Sequence, residues 1–238
     1  MRVGVFIDGQ NVTIGARYAF GREEGANGTG NMHPLLLGRT LAGECDLVEI
    51  RYVTGIPSPD IARDRWEAER RRHDLMAATD VVVLEKPLRY RWQWDLHNER
   101  DLGDPRDHKG ETVDARAKAR NVGQEKGIDV WLALDALIMC TRADIDKVII
   151  ATADTDLDLV PQYLQMMPGH GDTIVTQAKV LSGSRDLRQN SAYDETIAID
   201  EAVFAAARDD FDYERDLDES EIAKFVQRIG ANTDGIRD

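Results

Sequence analysis

The sequence predicts an α/β fold with three layers, in which helices cover both faces of a mostly parallel central sheet. Four apolar segments rich in β-branched residues are typical of buried strands, and segments with helical periodicity lie between them. Parallel strands need a crossover connection, which is usually a helix, so this alternation of strand and helix favours a parallel sheet.

The predicted strands lie early, in the middle and late in the chain. They cover residues 3–7, 47–53, 81–84 and 148–151, with a shorter fifth strand at 173–176. Helical periodicity covers 34–42, 60–78, 129–141 and 157–167. Residues 21–34 are rich in Gly and Asn and predict a flexible loop. The glycines of this loop do not follow a strand in GxGxxG order, which argues against a dinucleotide site.

One domain of about 205 residues accounts for most of the chain. We expect it to span 1–205, with an irregular, partly mobile insert at about 85–125 that includes a charged helix over 111–124. Residues 206–238 predict an acidic hinge followed by a short amphipathic helix. Its apolar residues Ile222, Phe225, Val226 and Ile229 share one face, so the helix can dock on its own domain or on a protein partner.

Composition points to a globular, cytoplasmic protein. The first residues lack the charged region and apolar core of a signal peptide, and the most apolar later stretch, 130–140, is far shorter than the ~20 residues of a membrane helix. Cys45 and Cys140 show no CxxC spacing, so we expect buried thiols.

The net charge of −14 disfavours attraction of nucleic acid to the whole surface. Residues 208–238 hold ten acids and five bases, which gives −5 of this total. A bound cation would also invert the charge at an acidic site.

Three separated groups of acids carry the chemical signal. They are FIDGQN with Asp8, KGIDV with Asp129, and ATADTDLD with Asp154, Asp156 and Asp158. Asp8 and Asp154 follow strands, and ligands of open parallel sheets gather beyond the carboxyl ends of strands. Mg²⁺ and Mn²⁺ prefer such carboxylate oxygens. An acid at a helix start is equally a common cap, so the DTDLD group alone leaves metal binding and capping open.

FIDGQN, KGIDVWLALDAL and ATADTDLDLVP together resemble, in order and spacing, the three signature blocks of NYN domains. These are PIN-like nucleases that include the LabA-like bacterial proteins, and the resemblance covers roughly residues 1–200. It implies a PIN-like, Rossmannoid fold. The chain has Thr152-Ala153-Asp154-Thr155-Asp156-Leu157 where the family commonly has Ser-Gly-Asp-Ser-Asp-Phe, so the loop lacks its glycine.

The resemblance also implies a site and an activity. Asp8, Asp129, Asp154 and Asp156 would be catalytic acids that hold Mg²⁺ or Mn²⁺, Asp158 a further metal ligand, and Asn11 a contact to substrate or to the metal's water shell. Asp135 is a weaker candidate that can instead face a neighbouring helix. The implied reaction is hydrolysis of phosphodiester bonds in RNA.

Residues 88–94, LRYRWQW, interleave cations with aromatic rings, a pattern typical of binding to single-stranded nucleic acid. The alternative is a strand with its aromatic residues on one face. Both interpretations leave Arg89, Arg91 and Trp92 as candidate RNA contacts. Lys126, close in sequence to Asp129, is a further candidate for guiding the backbone of the RNA.

Two other interpretations compete with the ribonuclease. A haloacid-dehalogenase-like phosphatase expects a second Asp two residues after the first, where this chain has Gln10. The stronger alternative is a catalytically inactive NYN-like scaffold that binds RNA or protein. Metal-dependent turnover separates the scaffold from the nuclease.

Overall fold

The computed structural model describes residues 1–20, 30–95, 118–124, 127–169, 172–181, 187–213 and 218–231, with the side chains of 91–95, 118–124 and 231 left aside. Its strands are β1 (Arg2–Asp8), β2 (Asp46–Ile56), β3 (Val81–Pro87), β4 (Arg89–Asp95), β5 (Lys118–Gln124), β6 (Lys147–Ala151), β7 (Ile174–Val180) and β8 (Glu195–Ile199). Its helices are α1 (Gly9–Phe20), α2 (Pro34–Ala42), α3 (Arg63–Ala77), α4 (Ile128–Cys140), α5 (Leu159–Met166), α6 (Glu201–Ala207) and α7 (Glu219–Ala231).

Six strands form one sheet in the order β3-β2-β1-β6-β7-β8, and every neighbouring pair is parallel. The predicted α/β class is therefore confirmed, with a sheet that is wholly parallel. The order runs outward in both directions from β1 and β6, so the chain reverses its direction of travel between these two strands. In open α/β sheets, this switch point opens a crevice at the carboxyl ends of the strands.

Apolar side chains fill a core on each face of the sheet. Residues of α1, α2, α3, α6 and α7 pack on one face, and residues of α4 and α5 pack on the other. β1 supplies both cores because its side chains alternate: Val5 and Ile7 belong to the first core and Phe6 to the second. The three predicted layers follow from this two-sided burial.

The sheet differs from the prediction in two strands. β7 is longer than the predicted strand at 173–176. β8 was not predicted, because its five residues, ETIAI, are too short a segment to give a clear pattern. It is the end strand of the sheet beside β7, where a short strand is tolerated.

A two-stranded antiparallel hairpin of β4 and β5 leaves the carboxyl edge of the sheet. β4 confirms the strand interpretation of residues 88–94. The predicted helix over 111–124 is wrong for 118–124, which is a strand, and 111–117 lie outside the described residues. Residues 118–124 form a strand because they pair with β4 at seven positions. Their charge-rich sequence gives no indication of this partner.

The C-terminal helix α7 docks on its own domain. Phe225 and Ile229 are buried in the first core, and the Phe225 ring lies 4.4 Å from that of Phe211 and 5.7 Å from that of His33. The predicted apolar face is therefore covered within the chain. The proposed division at residue 205 stays a prediction.

None of the helices in the described part of the chain has the length and apolarity needed to cross a membrane.

Candidate functional site

Asp8 and Thr152 meet at the switch point. β1 and β6 are parallel neighbours with Ile7 opposite Ala151, so the residues that follow at the carboxyl edge, Asp8 and Thr152, are adjacent. Thr152 donates a hydrogen bond from Oγ1 to Oδ2 of Asp8 at 3.0 Å. The first and third sequence blocks are therefore joined by a direct contact.

Hydrogen bonds fix the loop after β6 against the start of α1. The backbone N–H of Asn11 donates to Oδ1 of Asp8 at 3.1 Å, as is common at a helix start. The Asn11 side chain in turn accepts the backbone N–H of Ala153 at 2.8 Å. Thr152 Oγ1 accepts the N–H of Asp154 at 3.0 Å. These three bonds, with the bond from Thr152 to Asp8, hold Asp8 and Asp154 in one hydrogen-bonded frame.

Asp154 caps the short 3-10 helix Thr155–Asp158, with Oδ1 accepting the N–H of Asp156 at 2.9 Å. Capping and metal binding were alternatives for this group. The cap uses Oδ1, and capping by one oxygen is compatible with metal binding through the other.

Ala153 performs its role without the glycine of the family pattern. Among the described residues the one non-glycine with positive φ is Asp80, so the backbone at Ala153 is not left-handed. What the loop requires here is the N–H that bonds Asn11, and any residue other than proline supplies it.

Gly9 has a steric reason to follow Asp8. A Cβ at this position would overlap the ring of Tyr52, which is buried on the neighbouring strand β2. This close approach brings the start of α1 against the sheet.

Asp129 joins the site from the second block. Gly127 caps α4 with φ 75°, a left-handed conformation that favours glycine, and its carbonyl accepts a hydrogen bond from Lys86 Nζ at 3.0 Å. Lys86 also lies over the Trp131 ring at 5.8 Å. These contacts tie the first turn of α4, with Asp129, to the carboxyl end of β3.

The electrostatics show that the acids act on one another. Asp8 is 6% exposed, and burial raises its pKa to about 6, with the charges of Asp154 and Asp129 adding to the shift. Burial also raises the pKa of Asp129, followed by the charges of Asp154 and Asp156. A cluster of carboxylates in which the pKa of two members, Asp8 and Asp129, is raised is typical of a functional site.

The carboxylate oxygens of the site fit a hard divalent cation. No group of three or more His, Cys, Asp or Glu in the described ranges is positioned to form a metal cage. Mg²⁺ is usually held by one or two carboxylates together with water and substrate phosphate, and does not need such a cage. Asp8 and Asp154, with Asp129 and Asp156 beside them, match that mode of binding.

Asp158 has partners of its own. Its Oδ1 accepts a hydrogen bond from Asn190 Nδ2 at 2.9 Å, and Asn190 also bonds Gln177 of β7. Burial raises the pKa of the nearby Tyr193, and the Asp158 charge contributes. This environment assigns Asp158 a structural contact, and its predicted role as a ligand stays a prediction.

Asp135 lies away from the acids of the site. It accepts a hydrogen bond from Arg51 Nη1 at 2.5 Å, within a network in which Arg51 and Arg142 both bond Glu49. Asp135 therefore faces the strand β2, whereas the alternative given for it was a neighbouring helix.

Of the predicted RNA contacts, Arg89 is exposed at the base of the hairpin. Arg91 and Trp92 lie in β4, and their side chains fall outside the described set; Lys126 is outside the described residues altogether. The hairpin is anchored beside the site because Tyr90 Oη accepts the N–H of Ser58 at 3.2 Å, just beyond the carboxyl end of β2. Its predicted contacts to RNA stay predictions.

Thr152 and Lys86 are the positioning residues that the sequence did not reveal. Thr152 carried a signal, since it is a hydroxyl residue between a strand end and an acid. Lys86 carried none, because its partner Gly127 is brought close by the fold alone.

The fold and this edge define an α/β protein of the PIN-like class, with an acidic site at the switch point of a parallel sheet. The NYN domain family model matches residues 2–200, and the chain belongs to the NYN domain family. This family lies within the PIN-like nuclease superfamily. The LabA-like subgroup stays a prediction.

A crystal structure of a protein of unknown function from Vibrio parahaemolyticus RIMD 2210633 is similar to this chain with a TM-score of 0.50. The two chains are 21% identical, and the match covers 84% of this chain and 93% of that chain. At this identity the similarity shows the fold alone. No curated protein matches the chain.

Proposed function

We propose that this protein is a divalent-metal-dependent ribonuclease that hydrolyses phosphodiester bonds of single-stranded RNA. The observation that supports it is the hydrogen-bonded frame of Asp8, Thr152 and Asp154 at the switch point, with Asp129 close enough to raise the pKa of Asp8. Membership of a nuclease superfamily supports the same reaction class.

Asp8 and Asp154 would hold Mg²⁺ or Mn²⁺, with Asp129 and Asp156 as further ligands directly or through water. When bound, the ion supplies activation of water for in-line attack and stabilisation of charge on the phosphoryl oxygens and the leaving 3′ oxygen. Asp8 is anchored by Asn11 N–H and Thr152, so its carboxylate needs little reorganisation to bind the cation.

The hairpin would supply residues that bind the RNA. The carboxyl end of β3, which leads directly into β4, is joined to the start of α4 by the bond from Lys86 to Gly127. Arg89, Arg91 and Lys126 would contact phosphates and Trp92 would stack on a base, which gives affinity without reading sequence.

The test is incubation of labelled single-stranded RNA with the purified protein in Mg²⁺, Mn²⁺ or EDTA. Asp154→Asn is the informative variant because the amide oxygen can still accept the N–H of Asp156, so the cap is retained while the charge is lost. We expect metal-dependent cleavage by the wild type, and a loss of at least 100-fold in the variant with little change in Tm.

Asp46→Asn is the matched control, since Asp46 is an exposed acid at the amino end of β2, at the edge of the sheet opposite the site. It should cleave like the wild type. Equal cleavage by Asp154→Asn would overturn the proposal, because it would assign the activity to a contaminant or to another site. RNA that is bound but intact under all conditions would favour the inactive scaffold.

A further inference from the structure

The outer surface of α4 and α5 is apolar and exposed. Six large side chains form this surface, from 51% exposed for Leu159 to 67% for Met166. We call it the α4–α5 face; its residues are Val130, Leu134, Ile138, Leu159, Tyr163 and Met166.

The pattern of α4 departs from that of a surface helix. Its inner side buries Ile128, Leu132, Ala136 and Met139 in the second core. The outer side of such a helix is normally polar, but here Val130, Leu134 and Ile138 recur every four residues and point away from the core. A helix that is apolar on all sides is usually buried on its outer side as well as on its inner side.

The two helices lie against each other, so their exposed apolar side chains are neighbours, with the exposed Gln162 and Gln165 of α5 among them. α5 contributes Leu159, Tyr163 and Met166, spaced by four and three residues as on one side of a helix. The largest apolar patch of a monomeric protein is often a binding site.

The two helices that form this face carry little charge. The only charged residues in the sequences of α4 and α5 are Asp129 and Asp135. Asp135 is bonded to Arg51 of β2, and Asp129 acts on the acids of the site. In a chain of net charge −14, this is a surface at which two copies can meet without bringing like charges into contact.

We propose that a second copy of this chain docks on the α4–α5 face to form a twofold-symmetric dimer. Six side chains of this exposure offer about 600 Å² per copy, and two copies together about 1,200 Å², the lower end of stable protein interfaces. A twofold axis lets the same face pair with itself, which needs no second complementary surface. The dimer does not depend on the proposed nuclease activity.

Sedimentation velocity of the full chain tests the dimer over about 1–100 µM. We expect the wild type to sediment as a species with twice the chain mass of 26.7 kDa at the upper concentrations. Leu134 is the middle one of the three exposed apolar residues of α4. Leu134→Glu should be monomeric over the whole concentration range, which corresponds to at least a tenfold weaker association.

Ile14→Glu is the matched control. Ile14 is an exposed aliphatic residue of α1, on the opposite face of the sheet, and the change adds the same charge. It should dimerise like the wild type. Circular dichroism establishes that each variant is folded, and Tyr163→Glu replaces Leu134→Glu if the latter does not fold.

Three results would overturn the dimer. They are a wild type that is monomeric at every concentration, a folded Leu134→Glu or Tyr163→Glu that dimerises normally, and an Ile14→Glu that dissociates equally. Binding of a different protein to this face by a monomeric wild type falls under the first.

Discussion

The Thr152 hydroxyl lies 3.0 Å from Oδ2 of Asp8 and donates a hydrogen bond to this carboxylate across two neighbouring strands. The same oxygen accepts the backbone N–H of Asp154. One side chain therefore links the two acids on which the proposed cation site depends, and a change at Thr152 should disturb both.

Thr152→Val should reduce both stability and activity. The isosteric valine leaves the buried Asp8 oxygen and the Asp154 N–H without this partner, at a cost of about 1–3 kcal/mol in the free energy of unfolding. We expect kcat for RNA cleavage to fall by tenfold or more with a smaller change in KM. Urea unfolding and steady-state kinetics measure the two effects.

Thr152→Ser is the control for this prediction, because it retains the hydroxyl and should recover most of kcat. A Thr152→Val enzyme with wild-type kcat would show that the hydroxyl does not position the acids for reaction.

Asp8→Asn should stabilise the metal-free protein at neutral pH. An acid whose pKa rises from 3.8 to about 6 binds its proton more tightly in the native state, so stability falls as pH rises between those values. Above pH 6 the ionised, buried carboxylate costs on the order of 3 kcal/mol. Replacement by the neutral amide should recover about 1–3 kcal/mol of this, since the bond with Thr152 must rearrange.

The measurement is urea unfolding in EDTA at pH 8 and at pH 4.5 for both proteins. The advantage of Asp8→Asn should be clear at pH 8 and smaller at pH 4.5. A variant less stable than the wild type at pH 8 would mean that the charge of Asp8 does not destabilise the native protein.

His33→Asn should make the protein less sensitive to acid. His33 is buried beside α7, and burial lowers its pKa from 6.5 to about 4, with contributions from the charges of Arg72, Arg39 and Arg228. The unfolded chain takes up this proton below pH 6.5 while the native protein resists until about pH 4. Stability is therefore lost as pH falls through this window, by on the order of 3 kcal/mol in total.

Asparagine suits this position because His33 Nδ1 accepts the N–H of Leu35 as a helix cap, and an amide oxygen can do the same. Unfolding of both proteins at pH 7 and pH 4.5 should show a smaller loss for the variant. Equal losses would assign the acid sensitivity to other groups.

Arg89→Ala combined with Arg91→Ala should weaken RNA binding and reduce its salt dependence. Each lost phosphate contact lowers the slope of log affinity against log salt by about 0.7 for a single strand. Fluorescence anisotropy with labelled RNA at several salt concentrations measures the slope. Lys224→Ala removes one exposed cation of α7 and controls for the loss of positive charge away from the hairpin. An unchanged slope in the double variant would remove the hairpin from the interface.

The elements that the sequence predicted correctly are those that carry their own signal. β1 and β6 are apolar strands rich in β-branched residues and buried on both faces. Each ends at or directly before residues of the candidate site, so the acids could be placed at one edge of the sheet. The mutual approach of Asp8 and Asp154 follows from strand order, which the alternation of strand and helix restricts but does not fix.

The elements that were missed depend on partners distant in sequence. β5 is a strand because β4 pairs with it, and Asp135 turns from the site because Arg51 lies opposite on β2. The bond from Asn190 to Asp158 similarly joins segments that only the folded sheet brings together. Local pattern gives no access to such contacts.

Calorimetric titration of Mn²⁺ into the metal-free protein tests the central claim most directly, since the claim is that acids from two neighbouring strands form one cation site. The wild type should bind Mn²⁺, Asp154→Asn and Asp8→Asn should each bind at least tenfold more weakly, and Asp46→Asn should bind like the wild type. Binding that survives both site substitutions, or that Asp46→Asn weakens equally, would contradict a site at the switch point.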